Sequence, residues 1–120
     1  MDSKYKYELK PAYSLLSDNS DFGWKFNDMI KAFEISKNDL DGCQFIHAEY
    51  NQGNYECDAF IIFIKDSSLY EVNASHCSCN GFEGTWEPEK TTLNALLLRP
   101  NVPNIAKEKL RNMVIEKVVQ

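Results

Sequence analysis

The sequence has few of the features that would fix a function at sight. No stretch approaches the ~20 consecutive apolar residues that a membrane-spanning helix needs. Met1-Asp2-Ser3-Lys4-Tyr5-Lys6 is followed by no apolar run, so no secretory signal is read there. A cytosolic, reducing location is therefore expected, with no membrane partner. No Ser sits in a G-x-S-x-G elbow, and no glycine-rich loop precedes a basic residue as a phosphate cradle would require. Internal repeats, low-complexity segments and linkers are missing too. Basic residues are outnumbered, 13 against 18 acidic, for a formal net charge of −5. That argues against direct nucleic-acid binding, which needs clustered Lys and Arg against phosphate.

What is present describes one ordinary folding unit. The chain has 120 residues, of which 43% are hydrophobic. That length is close to the commonest domain size, and the apolar content is too high for a disordered chain. A single domain spanning 1–120 is expected. Its charge is uneven: residues 13–100 carry 14 acidic and 6 basic side chains, a balance of −8. An acidic middle suits a solubilising surface, and it also suits a partner with a basic surface.

The pattern along the chain predicts an α+β fold. Tyr5, Tyr7 and Leu9 alternate with polar residues ahead of Pro11, which suits a short edge strand or a loose arm. Phe22, Phe26, Met29, Ile30 and Phe33 fall on one helical face, predicting a helix over 21–35. Residues 43–50, 55–65 and 69–79 read as three strands, separated by the turn signals Asn51-Gln52-Gly53-Asn54 and Asp66-Ser67-Ser68. Short connections imply an antiparallel meander. The run Phe60-Ile61-Ile62-Phe63-Ile64 is apolar on both faces, so this sheet is expected to be covered on both sides. Thr91 or Thr92 can cap a short helix carrying Leu93, Leu96 and Leu97, which Pro100 stops at Arg99. A final helix is predicted over 103–119 from the stripe Ala106, Leu110, Met113, Val114 and Val118. The expected order is α-β-β-β-α-α.

Two constellations carry possible chemistry, and both depend on register. A three-residue connection Asp66-Ser67-Ser68 sets Lys65 against Leu69, Cys57 against Cys77 and Asp58 against His76. Pairing Tyr50 with Tyr55 sets His47 against Asp58. Cys57, Cys77 and Cys79 would then cluster on one face, and His47, Asp58 and His76 would form one row. An Asp between two imidazoles could act as a general base or a metal ligand, but a plain hydrogen-bonded polar row at a sheet end is the commoner arrangement. A one-residue slip destroys the row. The C-x-C pair fits zinc poorly, since structural zinc prefers four ligands with wider Cys spacing. Buried reduced thiols are the alternative, and no metal or other cofactor is expected. His76 and Cys77 are adjacent on a strand and point to opposite faces, so His76 is badly placed to activate Cys77.

A third cluster is a loop. Phe82, Glu83, Trp86, Glu87 and Glu89 are candidate binding residues, with Trp86 either a core anchor or an exposed contact. The carboxylates could hold a hard cation, but their spacing fits no calcium loop.

At these residues a family pattern emerges. Leu69-Tyr70-Glu71-Val72, Ser75-His76-Cys77-Ser78-Cys79, Gly81, Glu83-Gly84, Trp86-Glu87-Pro88-Glu89 and Thr92 resemble a group of small uncharacterised proteins of tailed phages and prophages. Asp58-Ala59-Phe60 fits it too, and the resemblance covers roughly residues 43–98. The chain departs from the pattern at Asn80, commonly aromatic, and at Thr85, often Gln. The resemblance implies an accessory phage protein acting in bacterial cytoplasm, and it carries over no functional residues. Small acidic proteins of this kind often bind and block a host protein, as anti-CRISPR inhibitors of host defence do. A small metal- or Cys/His-dependent enzyme, and a structural or assembly component, are the rival expectations.

Overall fold

The computed structural model describes residues 5–10, 31–52, 56–77 and 86–118. Its centre is an antiparallel meander of β2 (Gln44–Gln52), β3 (Glu56–Lys65) and β4 (Ser68–Cys77). A short β5 (Glu89–Thr91) extends it to a four-stranded sheet in the order β2-β3-β4-β5. The fold is α+β, as the alternation of apolar patterns predicts.

The β3–β4 turn consists of Asp66 and Ser67 alone, with φ of +52° and +64°. Positive φ at both central residues is the type I′ geometry, whose twist matches that of the flanking strands. Lys65 therefore faces Ser68 rather than Leu69, and every later pair shifts by one. The first hairpin differs from expectation as well. Gln52 pairs with Cys57, and a bulge at Ile46 separates the pairs Phe45–Phe63 and His47–Ile62. The bulge places Ile46 and His47 in succession on one side of the sheet. Without it, the unbroken ladder would set Phe45 against Ile64 and turn it to the other face.

Both faces of the meander are covered. One carries Ile46, Ile62, Ile64 and Leu69 against two helices, α1 (Leu93–Leu98) and α2 (Asn104–Met113), through Leu96, Ala106 and Leu110. The other carries Phe45, Ile61, Phe63 and Val72 against Phe33, Leu40 and Trp86. Of the helix predicted over 21–35, residues 31–33 are helical and Phe33 is buried. Phe22, Phe26, Met29 and Ile30 lie outside the described residues.

Helix α1 starts as its sequence suggests. The Thr92 hydroxyl accepts from the Ala95 amide at 3.1 Å, satisfying one of the orphan donors of the first turn. It ends before Arg99, which is extended, as a residue preceding Pro100 must usually be.

The predicted final helix over 103–119 is corrected. It stops at Met113, and Val114–Val118 form β6, paired antiparallel with β1 (Tyr5–Leu9). Val114, Ile115 and Val118 are β-branched and suit a strand once a partner is present. That partner lies at the other end of the sequence, where a local pattern cannot register it. Tyr7 fastens this ribbon to the rest. Its amide donates to the Ser67 carbonyl at 2.8 Å, and its hydroxyl accepts from the Leu93 amide at 3.1 Å. Burial, opposed by the Leu93 bond and reinforced by Glu116, pushes the Tyr7 phenol up to about 12.

Candidate functional site

The corrected register redistributes the expected constellations. His47 stands beside Ile62, Asp58 beside Asn51 and Ser75, and Cys57 beside His76, so His47, Asp58 and His76 share no row. Cys77 stands beside Glu56, not Cys57. The side chains of Cys57, His76 and Cys77 are not described, and Cys79, Phe82 and Glu83 lie outside the described residues altogether. Among the described residues no group of three or more His, Cys, Asp or Glu is arranged to hold a metal. Burial raises the thiol pKa of the remaining cysteine, Cys43, which keeps it protonated. Trp86 is half-buried, stacked on Phe63 at 5.9 Å and edge-on to Phe33 at 5.1 Å. It anchors the chain entering β5. Glu87 and Glu89 beside it are exposed.

What the structure does assemble is a cross-strand row, His47–Ile62–Glu71, on the helix-bearing side of the sheet. His47 and Glu71 are 3% and 5% exposed, the two buried polar residues of the described core. Each holds a charged residue in front of it. His47 Nε2 lies 2.7 Å from Glu49 Oε1, and its Nδ1 lies 3.2 Å from Lys109 Nζ on α2. An ammonium only donates and a carboxylate only accepts, so Nδ1 must be the acceptor and Nε2 must carry the proton. The imidazole is neutral in this arrangement. Its pKa is lowered by burial first, with the Lys109 charge adding to that and Glu49 opposing it.

Glu71 plays the corresponding part on the other side. It accepts from both terminal nitrogens of Arg99, one at 3.0 Å, and from Asn73 Nδ2 at 2.7 Å. Burial alone would raise its carboxyl. The bonds from Arg99, Asn73 and Thr91 overcome that and hold it below the ordinary range. A bidentate guanidinium pair of this kind fixes geometry as well as charge.

In front of this row lies a second one, Glu49–Phe60–Asn73, and beyond it Asp58 and Ser75. These residues, with Arg99, Asn101, Val102 and Pro103 from the connection between α1 and α2, line an open pocket of about 420 Å³. That volume is within the range of small-ligand sites. Two of its charged walls, Glu49 and Arg99, are thus clamped from behind by buried partners, the arrangement that pre-organised sites require. The sequence pattern singles out His47 and Asp58 as catalytic candidates in one row and passes over Glu49, Phe60, Asn73 and Arg99. The i, i+2 spacing of His47 with Glu49 and of Glu71 with Asn73 was the available signal.

Compared with known proteins, the chain matches no family model, no curated protein and no solved structure. No helix among the described residues is long and apolar enough to cross a membrane.

Proposed function

We propose that this protein acts by stoichiometric binding of a partner protein with a basic surface, rather than by turnover. The pocket between the sheet and the α1–α2 connection carries this reading. The buried ionisable groups behind it, His47 and Glu71, are engaged in holding other side chains in place. That is the construction of a shaped recognition surface, with rigidity favouring affinity. Exposed carboxylates lie at the pocket lip, at Asp58, and on the β5 side of the sheet, at Glu87 and Glu89. On the phage resemblance, the partner is a host protein of the bacterial cytoplasm, modulated or inhibited by being occupied.

The test starts from the tagged full chain. A partner captured from host lysate is purified and titrated against it. Saturation at a fixed whole-number ratio, with association slowed several-fold by Glu87→Lys and Glu89→Lys together and by added salt, is the expected result. Covalent change of the partner by catalytic amounts of the chain would replace this reading with an enzymatic one.

A further inference from the structure

The pocket is lined by two carboxylates, Glu49 and Asp58, by Ser75, Asn73 and Asn101, which both donate and accept, and by Arg99. Arg99 is neutralised by Glu71, so it contributes little net positive charge. Asn73 has one amide N–H committed to Glu71 Oε1, and its carbonyl oxygen can accept from a ligand. Glu49 accepts the hydrogen bond from His47 Nε2 on Oε1, and each carboxylate oxygen can accept more than one bond. Asp58 is exposed at the lip, one diagonal step from Glu49 across the β2–β3 pair. Diagonal neighbours in an antiparallel pair stand roughly 7–8 Å apart, so one planar cation can touch both carboxylates. Directly opposite Glu49, and two residues along β3 from Asp58, stands Phe60, half-buried and lining the pocket.

Two carboxylates, an amide oxygen and an aromatic face describe a receptor for a flat cation with donors along several edges. A guanidinium has that form, with five N–H donors in its plane and faces that stack on rings. An ammonium is a compact, strongly hydrated point charge that uses the ring less well. We propose that this pocket receives an arginine side chain of the partner protein, its guanidinium lying over Phe60 between Glu49 and Asp58. The proposal rests on the binding reading above and names the chemistry that the basic partner must present.

The probe is Nα-acetyl-arginine N-methylamide, titrated into isotope-labelled full chain and followed by amide shifts. Saturable shifts at residues 58–60 and 73–75 are expected, with a Kd in the roughly millimolar range suited to so small a ligand. Asp58→Asn should weaken binding about three- to five-fold, the size of one partly exposed ion pair. Phe60→Leu should abolish the preference for this probe over the corresponding lysine derivative. Asp58 is exposed, and the Phe60 replacement stays apolar, so both variants should fold. Absence of saturable shifts overturns the proposal. So does unchanged affinity in Asp58→Asn, or saturation by free glycine in place of the arginine probe, which would assign Arg99 an anion. If the pocket fails in this way while Glu87→Lys with Glu89→Lys still weakens the partner complex, the stoichiometric reading stands and only its arginine contact is lost.

Discussion

At the scale of residues, the site is decided by two buried polar groups that a hydrophobic sheet would normally exclude. His47 is tolerated because both ring nitrogens are satisfied, and Glu71 because three side chains donate to it. A buried neutral imidazole makes stability depend on pH. The folded pKa of His47 lies below its unfolded value of about 6.5. The unfolded chain therefore takes up a proton before the native one does. The contribution is fully present above pH ~6.5 and is lost as pH falls from there through the folded pKa. Protonation would also set an imidazolium against the Lys109 ammonium. Urea unfolding at pH 7.5 and 5.5 should show lower stability at the acid pH, and His47→Gln should flatten the difference. Glu71, with its pKa held down, adds a second loss below pH ~4.

At the scale of elements, the registers of the two hairpins do the positioning. Ser67 holds φ of +64°, a conformation that costs an ordinary residue free energy and a glycine almost none. Ser67→Gly should raise unfolding free energy by about 1 kcal/mol, measured by urea denaturation, with the Tyr7–Ser67 backbone bond intact. A decrease would mean that the Ser67 side chain contributes more than its backbone strain costs. The strands themselves were legible in the sequence, since 43–50, 55–65 and 69–79 nearly coincide with Gln44–Gln52, Glu56–Lys65 and Ser68–Cys77. The register was not. Asp-Ser is a weaker signal for a type I′ turn than Asn-Gly, and nothing local marks Ile46 as the extra residue. The first hairpin pairs Gln52 with Cys57 instead of Tyr50 with Tyr55, which moves His47 from Asp58 to Ile62. The two-residue turn sets Ile62 against Glu71, so the expected His47–Asp58–His76 row gave way to His47–Ile62–Glu71. The cap at Thr92 and the stop before Pro100 were readable because both are local. Strands β5 and β6 were not, because Glu89–Thr91 and Val114–Val118 become strands only through distant partners.

At the scale of the molecule, one sheet is buttressed differently on its two faces. Among the described residues, the aromatic side is built from ring contacts of Phe33, Phe45, Phe63 and Trp86. The helical side carries the buried polar row, the pocket and the connection that closes over it. On the proposed reading, the exposed acids at the pocket lip and the β5 edge add long-range charge to the local shape of the pocket in one encounter. The most direct test of this account is a calorimetric titration of the full chain with its purified partner, repeated with Asp58→Asn at low and physiological salt. The account predicts a saturable complex of fixed stoichiometry that weakens with salt and in Asp58→Asn. Loss of partner function at a small fraction of one equivalent of the chain, with no saturable heat, would contradict it.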